Sequence, residues 1–460
     1  MADSDVAIYA AIINSLTKSA PGPGNGPLSL NLFRFRREPL SFLQKLAKQY
    51  GDVATFRMGG QHMYLVNHPD FIRDVMVTHN SNFIKGRALQ RAKRLLGQGL
   101  LTSEGELHKR QRRLVQPAFH RQRIASYGTV MVEHADRLSS QWKHGTTFDM
   151  SHEMTRLTLS IVAKTLFDSE VESEADEIGE AMTCIMQMFN LLMYPFAELL
   201  ERIPLPQIRR YHRMHARLDA TVYRFIEERR RNGGDRGDLL SMLLMAQDDE
   251  DGTGGMSDSQ VRDEALTLFL AGHETTANAL SWTWYLLSLH PEVEEKLHAE
   301  LKTILNGRLP AFEDVPRLTY TEMVVAESIR LYPPAWAIGR RALADYRLGD
   351  YVVPANAIVL ISPFVTQRDE RFFPDPLRFD PERWTAEARE SRPQYSYIPF
   401  GGGPRRCIGE GFAWAEGILV LATLAARWRA RLAEGSRVEP KALITLRPKY
   451  GIQMKIEEWA

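Results

Sequence analysis

The chain has 460 residues, a formal net charge of +1 at pH 7, 44% hydrophobic and 25% charged residues, and two cysteines. That balance is ordinary for a globular protein and speaks against a disordered or fibrous chain. The near-zero charge gives no general preference for nucleic acid or acidic partners. Two cysteines cannot build a disulfide framework, which makes a reducing, cytoplasmic setting the natural expectation.

In chain order, Val6–Leu16 is apolar with polar interruptions. It is far short of the roughly 20 residues a membrane span requires and lacks the flanks of a signal peptide. Pro21-Gly-Pro-Gly-Asn-Gly-Pro27 then makes a stiff, non-helical connector. We therefore expect no transmembrane anchor, with peripheral membrane contact through residues 6–16 as a lesser option. Residues 1–27 read as an N-terminal segment and connector, and 28–460 as one catalytic domain. Val53–Met58 and His62–Val66 around Gly59-Gly60 read as a hairpin. Helical patterning dominates from Phe71 to His290, with Cys184 in an apolar run as a small core residue. Asp248–Gly255 is a polar loop. Ser257-x-x-Gln260 behind it has capping-box spacing. The helix so opened runs to His290-Pro291 and is about 50 Å long if unbroken. Gly349–Pro363 returns to strand character.

Three motifs carry chemistry. Midway along the long helix, Ala271-Gly272-His273-Glu274-Thr275-Thr276 joins a glycine to two β-branched threonines, poor helix formers at the centre of a helix. The small pair Ala271 and Gly272 could admit a flat cofactor or diatomic ligand, and a threonine hydroxyl can bond back to a carbonyl one turn earlier and bend the helix. Further on, Glu327-x-x-Arg330 sets acid and base on one helical face. Finally, Phe400-Gly-Gly-Gly-Pro-Arg-Arg-Cys-Ile-Gly409 puts Cys407 in a glycine-rich loop just before an apolar helix. Helix N–H donors and the positive dipole end favour a thiolate there. A thiolate on haem iron, with Arg405 on a haem propionate, satisfies these features together.

Phe400-x-x-Gly403-x-Arg405-x-Cys407-x-Gly409 resembles the haem-binding signature of the cytochrome P450 family. Ala271–Thr276 resembles that family's oxygen-activation motif, and Ala326–Pro334 its Glu-x-x-Arg helix with proline exit. Phe379–Trp384 resembles the later segment whose arginine, here Arg383, completes a Glu-Arg-Arg network. The likeness spans nearly the whole chain, with the motifs in the family's order. It implies a mainly α fold with a small β region and one haem b on Cys407. Phe400, Gly401, Gly409 and Ala271 would touch the haem, and Arg405, His108, Arg112 and Arg340 its propionates. His108 stands where the family usually has tryptophan, and Arg341 beside Arg340 is an alternative to it. Thr275 would hydrogen-bond the oxygen being activated, and Glu274 would relay protons. Glu327, Arg330 and Arg383 would be structural.

The resemblance further implies an apolar substrate pocket. Leu95 and Leu96 would overhang the haem, and Phe269 and Leu270 would contribute from the long helix. Ala335, Trp336, Ala337 and Ile338 would follow the proline exit, with Ile444 and Thr445 closing the far side. Core packing is the default alternative for each apolar member. Arg34, Arg36 or Arg37 could supply a carboxylate clamp near the entry. The implied activity is monooxygenation: O2 is activated, and one oxygen atom enters a fatty acid, terpenoid, steroid or similar molecule. With no reductase module in the chain, electrons would come from a ferredoxin or flavodoxin with an NAD(P)H-dependent reductase. These would dock on the face bearing Lys109, Arg110, Arg113 and Arg406. A monomeric, bacterial-type enzyme is expected. A peroxide-driven or O2-independent haem-thiolate enzyme and a non-catalytic haem-thiolate sensor stay open, although the first often lacks the acid–threonine pair.

Overall fold

A computed structural model describes residues 19–24, 30–168, 181, 184, 185, 188, 206–248 and 254–459. The segment 6–16 and the end of the proline-rich connector lie outside the described residues, as does most of the expected loop after Asp248. The chain forms two compact units. The first takes residues up to Arg87 together with Trp336–Pro376 and Arg392–Arg406; the second takes Ala88–Ala335, Leu377–Ser391 and the chain from Cys407 on.

The first unit is built on a five-stranded sheet in the order Val53–Met58, Gln61–Val66, Ile358–Ile361, Ile338–Ala342, Phe83–Lys85. The expected hairpin is present, turning at Gly59 with φ 60° and pairing Val53 with Val66. Ile358–Ile361 runs parallel to Gln61–Val66 and antiparallel to Ile338–Ala342. It is buried along its whole length, which its unbroken aliphatic run foreshadows. Val66, Ile72, Val359, Ile361 and Ile398 form part of this unit's core.

The second unit is a helical body around Asp258–Leu289. This helix has 32 residues, and both hydrogen bonds of the Ser257/Gln260 capping box are made. It is α-helical through Gly272 and the threonines, without a break. Between Gln260 and Ser288 nearly every position is buried or half-buried; Ala271 is the exposed one. A helix apolar on all sides is a core helix, and here Met150–Phe167, Pro206–Asn232, Thr319–Leu331 and Glu410–Ala425 contact it within the unit. Cys184 is buried in an apolar cluster with Ile185, Met188 and Leu166. Among the described residues no helix is long and apolar enough to cross a membrane.

Candidate active site

The glycine loop closes the first unit and opens into the second. In the first unit Gly403 has φ 63°, and a Cβ there would lie 2.1 Å from the Met76 carbonyl oxygen. Only glycine allows both the turn and the approach. Phe400, Gly401 and Arg405 are half-buried, and Arg340 is buried in the strand Ile338–Ala342. In the second unit the Cys407 thiol is exposed, three residues before helix Glu410–Ala425, whose N-cap is Gly409. Ile408 next to it packs on the apolar cluster that contains Leu266 and Phe269. His108 is buried and Arg112 half-buried on helix Gly105–Val115. Burial holds the Arg112 guanidinium below its usual range, while the charge of Cys407 works against that. Arg112 therefore lies within electrostatic reach of the thiol.

On the long helix, Thr275 Oγ1 donates to Ala271 O at 2.7 Å. This satisfies the carbonyl one turn earlier and leaves the hydroxyl oxygen able to accept. Glu274 is held from the C-terminal segment, whose part in this the sequence did not reveal. Thr445 Oγ1 donates to its Oε1 at 2.6 Å and Arg447 Nη2 at 2.7 Å. Asn278 Nδ2 donates in turn to Thr445 Oγ1 at 3.1 Å. Thr445, expected at the substrate, thus has its hydroxyl committed to the acid.

The other pocket candidates fall in different places. Leu95, Leu96, Phe269 and Leu270 are buried in the second unit's apolar cluster, against which Ile444 packs. Phe269 lies near Phe167 and His273, with ring centroids 6.1 and 5.7 Å away. Two residues correspond to about 200° of helix, so Phe269 faces away from the exposed side of Ala271. Ala335 is half-buried in the second unit. In the first unit Trp336 is buried and its carbonyl accepts from Ser362 Oγ at 2.8 Å; Ala337 and Ile338 are half-buried beside it.

Of the basic residues expected to meet an electron donor, Lys109 pairs with Glu106 at 2.7 Å. Arg110 donates to Gly254 O at 2.9 Å and Gly255 O at 3.2 Å, which binds it into the fold. Arg406, in the first unit, is exposed.

The Glu327–Arg330 pair is fully buried, with paired contacts of 2.7 and 2.8 Å. Asp380 N and Trp384 Nε1 each donate to Glu327 at 3.0 Å, and Arg383 Nε lies 3.4 Å from it. Arg330 also donates to Arg378 O at 3.1 Å. The segment 378–384 is thereby fixed to helix Thr319–Leu331. Trp384 and the Asp380 backbone are members that the spacing alone did not show.

A second buried acid was not singled out from sequence, although a lone glutamate in the apolar run of helix Glu410–Ala425 was a usable signal. Glu416 is fully buried, and among the described residues neither carboxyl oxygen has a hydrogen-bond partner of good geometry. Burial pushes its carboxyl up to about 8, with the nearby Thr276 hydroxyl opposing the shift. A carboxyl raised in the folded state contributes fully below its unfolded value near 4.5 and loses that contribution as pH rises through about 8. Each pH unit in this window is worth about 1.4 kcal/mol. Glu416→Gln should therefore gain stability over the parent by several kcal/mol between pH 5 and pH 9. Denaturant unfolding at a series of pH values measures this; parallel curves for the two proteins would refute the assignment.

The arrangement fits haem. An exposed thiol stands before a helix N-terminus with a guanidinium in electrostatic range, and the same unit presents an exposed alanine and a back-bonded threonine midway along a buried helix. The comparisons with known proteins agree. The family model described as Cytochrome P450 matches residues 20–456. Cyclooctatin synthase of Streptomyces melanosporofaciens is 42% identical, covering 92% of each chain. Cyclooctat-9-en-7-ol 5-monooxygenase of the same organism is 40% identical over 90% of each. Pentalenene oxygenase of Streptomyces avermitilis is 36% identical over 92% of this chain and 94% of its own. The crystal structure of the cytochrome P450DA heme domain superposes with a TM-score of 0.88 at 27% identity, covering 97% of this chain and 99% of that one.

Proposed function

Because the chain belongs to the cytochrome P450 family, we propose that Cys407 is its haem ligand and that it hydroxylates a terpenoid. The protein is a haem b monooxygenase that acts on an apolar small molecule with O2 and electrons from redox partners. The observation that carries the ligand assignment is the exposed Cys407 thiol before helix Glu410–Ala425, within electrostatic reach of Arg112. The terpenoid assignment rests on the relatives named cyclooctatin synthase, cyclooctat-9-en-7-ol 5-monooxygenase and pentalenene oxygenase.

Bound haem supplies O2 activation and oxygen insertion. The protein's residues hold it and manage protons. In the second unit Cys407 would give the thiolate, His108 and Arg112 would meet propionates, and Gly409 would end the loop; in the first unit Arg340 and Arg405 are the basic residues suited to propionates, and Phe400 and Gly401 belong to the glycine loop. Thr275 Oγ1 accepts a hydrogen bond at the reacting side and passes a proton on. Glu274 is the carboxyl that would resupply it, held in position by Thr445 and Arg447, which both donate to its Oε1. Apolar walls exclude water, so protons enter only along such side chains. A ferredoxin or flavodoxin with an NAD(P)H-dependent reductase is the donor system we assign.

Optical titration of the ferric protein with terpenoids, fatty acids, steroids and aromatic compounds tests this reading. Terpenoids should give a saturable shift of the haem band toward high spin, followed by turnover to a hydroxylated product. A response confined to another class would overturn the substrate assignment. In the same assay Thr275→Ala should keep the binding shift but spend most electrons without product; unchanged coupling would remove Thr275 from the proton path.

A further inference from the structure

Two consecutive acids of the long helix, Asp263 and Glu264, bond to backbone rather than to bases alone. Gln98 N donates to Asp263 Oδ2 at 2.7 Å, and Leu100 N donates to Glu264 Oε2 at 2.9 Å. The loop they hold, residues 97–103, is tight in itself: Thr102 Oγ1 donates to Gly97 O at 2.7 Å, and Ser103 N to Gly99 O at 2.9 Å. Gln111 Nε2 adds a bond to Gln98 O at 2.6 Å. The loop also lies hard against the helix, since a Cβ on Gly99 would fall 2.2 Å from Thr267 Oγ1 and 2.6 Å from Asp263 O.

The end of the helix before the loop is fixed by the same cluster. His215 Nε2 bonds Leu95 O at 2.9 Å, and its Nδ1 lies 3.2 Å from Asp219. Arg262 joins the two acids, donating from Nε to Asp219 at 2.8 Å and from Nη1 to Asp263 at 2.7 Å. Helix Pro206–Asn232, the long helix and the loop are thus tied through one set of side chains.

Stability does not explain Glu264. It is fully buried, and its second oxygen has no hydrogen-bond partner among the described residues. A buried carboxyl with one unsatisfied oxygen costs free energy that an apolar residue would not. What the carboxyl adds is an acceptor for the Leu100 N–H. Position matters as well. Thr267 and Glu264 precede Ala271 by about one and two turns on the same face. The loop therefore sits about 6 Å along the helix from the exposed Ala271 side.

We propose that Asp263 and Glu264 are positioning residues for substrate selectivity: they hold loop 97–103, with its half-buried Leu101, as a fixed wall beside the Ala271–Thr275 face. This rests on the reading that an apolar substrate occupies that face. The wall's shape, not its composition, then discriminates substrates, because small displacements of a packed apolar wall change the fit of a rigid ligand.

The test uses the haem-loaded protein and a set of rigid terpenoids of graded size, with Kd read from the optical shift and products from turnover. Glu264→Met removes the acceptor at similar volume, and Glu264→Gln keeps one. The methionine variant should change the ratio of Kd values between the smallest and largest binders by about tenfold and alter the product distribution. The glutamine variant should stay close to the parent. Gly99→Ala, which displaces the loop by crowding Thr267 and the Asp263 backbone while keeping both acid side chains, should reproduce the methionine result and serves if that variant fails to take up haem. An unchanged Kd ratio and product pattern in Glu264→Met and Gly99→Ala would overturn the proposal while leaving the haem-site reading standing. A parent that shows no shift with any apolar compound would overturn both.

Discussion

Cys407→Ser should leave a protein that folds but has lost the thiolate-type haem spectrum, with monooxygenase turnover down by at least about a thousandfold. Cys407 stands in an exposed loop position before helix Glu410–Ala425. Removing its sulfur therefore costs no core packing and leaves the scaffold intact. A serine hydroxyl stays neutral under conditions where a thiol before a helix N-terminus and near a guanidinium ionises. Bound haem would then lack the thiolate charge that supports its oxygen chemistry. Haem content, the spectrum of the reduced carbon monoxide complex and product formation measure the three parts. A thiolate-type spectrum surviving in the variant would mean that the ligand is another residue.

The second large effect is on stability. Glu327→Gln should lower the free energy of unfolding by about 3–5 kcal/mol, the cost of breaking a buried pair from one side. Arg330 and Glu327 are both wholly buried, so the guanidinium would be left without its counter-charge. The Asp380 and Trp384 donors that anchor the segment 378–384 would also compete for a single amide oxygen. Denaturant unfolding of the haem-loaded protein gives the number. Replacing the pair together, Glu327→Leu with Arg330→Met, should recover part of the loss, because an apolar pair need not be neutralised. A single substitution within 0.5 kcal/mol of the parent would show that the network does not support the fold. The expectation assigns these residues no role at the substrate, so the affinity for a bound terpenoid should hold in whatever fraction remains folded.

Much of the fold was legible because its signals are local. The Ser257/Gln260 box, the Gly59 turn and the Glu327–Arg330 pair each lie within a few residues. Propensity and spacing act over that range. The segment Ala271–Thr276 stood out by composition, since a glycine and two threonines in the middle of a helix have to be justified by something other than helix formation; the proton role proposed for it comes from the family resemblance. The partners of Glu274 were not legible, because Thr445 and Arg447 lie 171 and 173 residues further along the chain. No spacing rule reaches so far. Leu100 and Glu264 meet across 164 residues for the same reason.

By itself the sequence determined which cysteine stands in the glycine loop, which acid and threonine sit midway along the long helix, and which acid–base pair lies on one face of a later helix. Those are properties of residue type and order, and they hold before any contact is made. The tertiary structure decided orientation. It turned Phe269 toward Phe167 and left Ala271 exposed, gave the Thr445 hydroxyl to Glu274, and set two carboxylates to hold a loop. Periodicity fixes the angle between residues on a helix, but only packing against other elements fixes which side faces open space.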